Sequence, residues 1–336
     1  MEIQESKRFD VLIIGAGPAG TAAAIACTHL GLSPAVVTKP YGDPKSVVPV
    51  QSVHPGVVSM LSRLGIEEVI TKSSQGTFTG ITTNDGYNRL STETEEWDGH
   101  HINRELFDRA LLEQLHALEI PIIETALKAD QINHSDTEVR IQLDPVRNIS
   151  APFMIDATGY HRMSKRTLHL REKFYSSPLQ CWTGLASKSK LKSHYELTTS
   201  FLKQKDGWLW LAPHDDEHVT WTKLSQQKQR PDAFIEQYQA HTVQAYNVRW
   251  RAFRPVCHGR ALLCGDAAGS LDPAAGQGIL NALKSGIVVA NCVLDCLNDT
   301  RMKEIYFVHY DQWFIENFED KVAQLNEYYK LQNLEV

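Results

Sequence analysis

The chain has 336 residues, 42% of them hydrophobic and 22% charged, with 34 basic against 40 acidic side chains and a formal charge of −6. That is the composition of a globular protein able to bury a large core. The acidic balance argues against a nucleic-acid partner, which would call for a basic surplus.

Residues 1–9 are polar and run directly into an apolar strand, so the N-terminus does not read as a signal peptide. No uninterrupted apolar run reaches the roughly 18 residues of a spanning helix, and no transmembrane segment is expected. The six cysteines, at 27, 181, 257, 264, 292 and 296, form no CxxC pair and have no His at zinc spacing. They read as buried small hydrophobes in a reducing cytoplasm, with no metal site.

Phe9 to Thr38 reads as a βαβ unit: a continuous apolar strand (VLII), the loop GAGPAG, an Ala-rich helix stopped at Gly31, and a second strand. Gly15, Gly17 and Gly20 have the G-x-G-x-x-G spacing. They serve a tight turn, a close backbone approach to a pyrophosphate, and tight helix–strand packing; Pro18 and Ala19 open the helix whose N-terminus receives the phosphates. The second strand should close on an acidic residue about 20 positions on, to bind ribose hydroxyls. It closes on Thr38-Lys39 instead, so either Thr38 substitutes for the acid or Lys39 meets a phosphate.

A Pro-rich polar stretch follows, then a short helix expected in VVSMLSRLGIEEVI (57–70). INRELFDRALLEQL (102–115) has apolar residues at 102, 106, 107, 110, 111 and 115, an amphipathic helix with Arg104 in its first turn. FMIDATGYHR (153–162) is another strand running into small residues. QCWTGLAS, YELTTSFL, GWLWLAP and HVTWTKL alternate as strands of an antiparallel sheet within 165–251. Near the end, ALLCGDAAGSLDPAAGQG runs from a strand through one acid, Asp266, into a dozen mostly small residues before a long helix. Small residues let backbone lie against something flat, and the carboxylate can accept from sugar-like hydroxyls. The aromatic tail EIYFVHYDQWFIENFEDKVAQLNEYYKL is helical in period.

GAGPAG, the N-R-x-x-x-D helix (Asn103, Arg104, Asp108), DATG (156–159) and GDAA…DP…GQG (265–278), in that order, resemble the FAD-dependent monooxygenase superfamily from about residue 9 to 300. The resemblance implies a mixed α/β aromatic-hydroxylase fold. Its Rossmann-like FAD lobe would be built from 1–82, 98–160 and 252–300, its substrate lobe from 83–97 and 165–251, and 301–336 would form a helical tail. It implies that Asp266 binds a ribityl hydroxyl, that Arg104 reaches the pyrophosphate, and that Pro273, Gly276, Gln277 and Gly278 lie along the isoalloxazine. Gln51, Ala126 and Gly265 join them as cofactor contacts.

QSVHPGVVSMLSRLGI, DGWLWLAP and DPAAGQGILNALKSG further resemble the tryptophan-halogenase-like branch, with Gln51 in place of a Glu and Ala212 in place of an Ile. Halogenases of that branch carry a lysine in a T-F-K segment. Here the matching region, 70–84, holds only Lys72, too early to match. The chain is most similar to the compact LodB/GoxB-type flavoproteins of the branch, which are thought to hydroxylate a tryptophan in the precursor of a quinone-cofactor oxidase. That implies FAD, molecular oxygen, a precursor of a tryptophylquinone oxidase as partner, and NAD(P)H or a partner reductase as reductant. A halogenase or hydroxylase of a small aromatic, a geranylgeranyl-reductase-like FAD reductase and a non-catalytic FAD-holding chaperone are the alternatives. Trp208 and Trp210, alternating on one strand, are candidates for an aromatic substrate wall or for plain sheet packing. His54 is a candidate proton donor or a solvated loop residue.

Overall fold

The computed structural model describes residues 5–42, 49–89, 98–168, 170–191, 199–225, 229–331 and 333–334. Its centre is a six-stranded sheet in the order 257–258, 261–263, 153–156, 11–14, 34–38, 122–124, parallel except for the first pair. Strand Val11–Ile14 is buried along its whole length because both faces are covered. Val11 and Ile13 join the core under the helices, while Leu12 and Ile14 join a second core with Ile132, Val139, Ile141 and Ile149. The strand's period of two therefore divides one apolar run between two layers. The second layer is a four-stranded sheet, 5–8, 147–151, 139–142 and 132–134.

On the helical face lie α1 (Pro18–His29) and α7 (Gly278–Asn298), packed on each other, with α2 (Gly56–Arg63), α3 (Glu68–Ser73) and α4 (Arg104–Ala117) alongside. The single helix expected over 57–70 is thus two, broken at Leu64-Gly65, where Gly65 takes φ +71. In α4, Phe107, Ala110, Leu111 and Leu115 are buried; Leu106, counted with them by periodicity, is exposed. By length and composition α7 could cross a bilayer, but it is a core helix with Leu283, Val289, Ala290 and Val293 fully buried.

A three-stranded sheet, 50–53, 99–103 and 74–78, leads to a seven-stranded sheet ordered 241–247, 180–187, 218–225, 207–213, 200–204, 80–83, 86–89. The latter is antiparallel except where 200–204 meets 80–83. The lobe boundary expected at residue 82 runs through strand Gly80–Thr83, which belongs entirely to this sheet. Of the sequence 83–97, residues 90–97 lie outside the described residues, as does 195–198 of the strand read in YELTTSFL. One face of the sheet, with Leu202, Leu209, Leu211 and Trp221, is covered by Phe234 and Tyr238 around α6 (Asp232–Gln237). The other, with Trp208, Trp210 and Leu224, faces the helical core. The short α5 (Met163–Thr167) follows the DATG turn, and α8 (Lys303–Leu331) closes the chain. Phe307, Tyr310, Phe314, Phe318, Leu325 and Tyr329 of α8 are buried, so the tail is part of the core.

Candidate functional site

Between the six-stranded and seven-stranded sheets runs a cavity of about 1320 Å3. One end is the first βα turn. Gly15 has φ +105, and a Cβ on Gly20 would lie 1.8 Å from the Gly15 carbonyl oxygen, so only glycine permits helix and turn to approach this closely. No atom stands within 4 Å of where a Gly17 Cβ would be, and no side chain caps α1, whose first turn lacks an acid. Unpaired N–H groups and the positive end of α1 thus open onto the cavity, as an anionic pyrophosphate requires. Gly15, Gly17, Pro18 and Ala19 line it; Gly20 stands behind them as packing. Lys39 lines the cavity as well. Thr38 does not: it is buried, with its hydroxyl donating to the Lys39 carbonyl at 3.4 Å, and the ribose role open to it in the sequence goes unfilled.

Asn103 caps α4 by accepting from the N–H groups of Glu105 (3.0 Å) and Leu106 (3.2 Å). Arg104, the next residue, lines the cavity and is braced by its Nε donating to Asp108 Oδ1 at 2.9 Å. Across from it, Asp266 opens onto the cavity from the short turn after strand Ala261–Leu263. The surrounding protein walls raise its pKa by desolvation, against the pull of Arg104 and Arg251. Among the described residues no donor reaches its carboxylate, which leaves an acceptor facing the cavity, as a sugar hydroxyl would need. Arg251, buried and unremarked in the sequence, reaches Glu172 at 3.4 Å and the Asp266 carbonyl at 3.5 Å. Asp156 of DATG serves the fold instead, accepting from Thr158 and Ser164 and pinning that turn.

Asp272, Pro273 and the turn to Gly276 (φ +61) carry the chain to the uncapped start of α7. No atom lies within 4 Å of a Cβ built on Gly276 or Gly278, so the backbone here is bare toward the cavity. Gln51, Ala126, Gly265, Pro273, Gly276, Gln277 and Gly278 all line it. The donor and acceptor set therefore fits FAD: a phosphate cradle at one end, an acid for the sugar chain in the middle, and bare backbone along a flat ring.

Beyond this loop the wall is aromatic: Phe78, Phe201, Trp208 and Trp210. Trp208 and Trp210 share one face of their strand, as alternation requires. Trp210 meets the edge of His101 (6.4 Å), which stacks on Phe78 at 4.6 Å. His101 is held between Ser52 (Nδ1, 2.8 Å) and Thr199 (Nε2, 2.9 Å), and burial pushes its pKa down to about 4. Sequence reading passed it over because a His in a short strand carries no motif. Trp208 is fully buried, donating from Nε1 to the Tyr329 hydroxyl at 2.7 Å. Tyr329 donates to Asp272 Oδ2 (3.0 Å), which also accepts from Trp250 Nε1 (2.6 Å), while Asp272 Oδ1 accepts from the Ala274 N–H (2.8 Å). Burial raises the Asp272 pKa to about 6 despite these donors.

His54 lines the cavity and accepts at Nδ1 from the Gly56 N–H at 3.0 Å, which places the ring proton on Nε2. Burial, then Lys284, lowers its pKa. Lys72 lies outside the cavity, on the exposed side of α3, paired with Glu113 at 2.9 Å and Glu68 at 3.4 Å. Among the described residues no group of three or more His, Cys, Asp or Glu is arranged to hold a metal.

This arrangement has counterparts among known proteins. The chain is 23% identical over 379 aligned positions to a 1H-pyrrole-2-carbonyl-(peptidyl-carrier protein) chlorinase of Pseudomonas fluorescens, covering 96% of this chain and 84% of that one. Its fold matches that of CmlS, a flavin-dependent halogenase, with a TM-score of 0.74 at 22% identity over 94% of this chain, which spans only 63% of the halogenase. It also matches QhpG, a peptidyl tryptophan dihydroxylase essential for tryptophylquinone cofactor biogenesis, with a TM-score of 0.75 at 19% identity, covering 97% of this chain and 75% of that one. An FAD-binding domain profile matches residues 10–43, the βα turn and its flanks. Because the tryptophan halogenase profile matches residues 81–335, the chain belongs to the tryptophan halogenase family and is an FAD-dependent oxidoreductase of the flavin halogenase and monooxygenase class.

Proposed function

We propose that the protein uses FAD and molecular oxygen to hydroxylate a tryptophan side chain of a precursor protein during tryptophylquinone biogenesis. The observation that carries this reading is one cavity joining a dinucleotide cradle to an aromatic wall, while the lysine of the region matching the halogenase segment, Lys72, points to solvent. The likeness to the tryptophan dihydroxylase over nearly the whole chain adds support.

When bound and reduced, FAD supplies oxygen activation. The chain's own residues do the rest. Gly15, Gly17, Pro18 and Ala19 cradle the pyrophosphate, with Arg104 and Lys39 balancing its charge. Asp266 would accept from the sugar chain, Gln51 and Ala126 would line the cofactor's flank, and the Pro273–Gly278 backbone would face the ring. The N–H groups at the start of α7 favour negative charge developing there. Trp210 and Phe201 would face an indole, with the buried Trp208 behind them, and keep water away. His54, neutral with its proton on Nε2, is the proton donor we assign on the cavity lining. Tyr160 and Tyr246 on the lining are exposed, so that part of the wall faces solvent, where a precursor protein would approach. Electrons come from a reduced nicotinamide or a partner reductase.

Halogenation is the second reading, favoured by the chlorinase likeness and by Lys321, a half-buried amine on the lining whose pKa is lowered by burial and then by Lys284. One experiment separates them: reduced holoprotein, oxygen and the precursor are mixed with and without bromide, and the precursor is weighed. Added oxygen, independent of bromide, is the expected result. A bromine isotope pattern establishes halogenation, and an unchanged mass overturns the proposal.

A further inference from the structure

The tail helix α8 reaches the site through one hydroxyl. Tyr329 is fully buried and does not line the cavity, yet its oxygen stands between two residues that do: it accepts from Trp208 Nε1 at 2.7 Å and donates to Asp272 Oδ2 at 3.0 Å. Trp208 belongs to the seven-stranded sheet, and Asp272 immediately precedes the Pro273–Gly278 loop. We propose that Tyr329 is a positioning residue for the oxygen-transfer reaction, locking the flavin-facing loop and the aromatic wall into one register from the far end of the chain. The proposal rests on the reading of that loop as the ring site.

The geometry favours this over simple packing. A ring alone would fill the space, but the hydroxyl is used twice, once in each direction, and both partners are buried polar groups. Trp208 Nε1 has Tyr329 as its acceptor, so its N–H points away from the cavity and its ring is fixed as wall. Among the described residues the Asp272 carboxylate has three donors, from Trp250, Ala274 and Tyr329, and no cation faces it. The titratable groups around it are the Cys181 thiol and the phenols of Tyr328 and Tyr329, each pushed upward in pKa and neutral near pH 6. Loss of the Tyr329 hydroxyl would leave Asp272 with two donors and the Trp208 N–H without its acceptor.

The test is a pH titration of the bound flavin's absorbance and fluorescence between pH 5 and 8, on FAD-loaded wild type, Y329F and D272N, with thermal stability followed in parallel. Wild type is expected to titrate near pH 6, D272N not to titrate, and Y329F to titrate about one pH unit higher, the equivalent of one lost hydrogen bond to a charged group. A Y329F midpoint equal to wild type, whatever its thermal stability, overturns the positioning role and leaves the ring site standing. A wild-type flavin signal flat across the range overturns the ring placement and the proposal with it. If Y329F does not fold, W208F carries the test. Removing the indole N–H that polarises the Tyr329 hydroxyl should also raise the midpoint, and an unchanged midpoint overturns the proposal.

Discussion

His101 and Thr199 join the two parts of the site: the imidazole Nε2 lies 2.9 Å from the Thr199 hydroxyl, with Ser52 holding Nδ1 from the other side at 2.8 Å. The ring is buried and kept neutral, because protonation would place a charge where little water can solvate it. Its pKa in the fold, about 4, lies below the ordinary 6.5. The stability it contributes is therefore complete above pH 6.5 and lost as pH falls toward 4, a swing of about 3 kcal/mol. The melting temperature of wild type should fall over this range, and H101Q, less stable at pH 7.5, should converge on wild type near pH 4.5.

Asp272 works in the opposite sense. Its pKa in the fold, about 6, exceeds the ordinary 3.8, so ionisation costs stability that returns as pH drops from 6 to 4, again about 3 kcal/mol. D272N keeps the size of the side chain without the charge. Urea unfolding at pH 7.5 and pH 5 should show a smaller pH dependence for the variant, and an unaltered one would count against the carboxylate being ionised in the buried site.

Asp266 presents its carboxylate to the cavity, with no protein donor upon it among the described residues. D266A should fold with a melting temperature within a few degrees of apo wild type and purify largely colourless. The flavin-to-protein absorbance ratio measures this, and a fully yellow variant would remove Asp266 from the cofactor site.

Gly20 allows no side chain. A methyl placed 1.8 Å from the Gly15 carbonyl must push α1 off the sheet, so G20A should lose flavin and about 3 kcal/mol or more of stability, seen together in denaturant melts. G17A meets nothing within 4 Å and should keep its fold while binding FAD more weakly, which separates packing from cofactor approach.

Much of this was legible before any coordinates. The glycine triplet, the Asn103-Arg104 helix start, DATG and the Asp266 loop are local signals, since each ties a short spacing to one backbone geometry, and all converge on one cavity. Alternation in GWLWLAP gave the shared face of Trp208 and Trp210. What escaped is nonlocal. Nothing near Tyr329 in the sequence says that its hydroxyl meets a residue 57 positions back and another 121 back. His101 and Arg251 carry no motif, and their roles exist only once separate strands are brought together. Thr38 is off the cavity lining: strand-end position alone does not fix whether a side chain turns to a ligand or to its own backbone.

Strand Gly207–Pro213 alternates between two duties, with Leu209 and Leu211 in the core beneath α6 and Trp208 and Trp210 toward the cavity. Among the described residues, only Trp208 of the two tryptophans is tethered to the rest of the scaffold through its nitrogen. Position 210 is therefore where substrate preference can drift or be redesigned at low cost, whereas a change at 208 disturbs the terminal helix and the flavin-facing turn together.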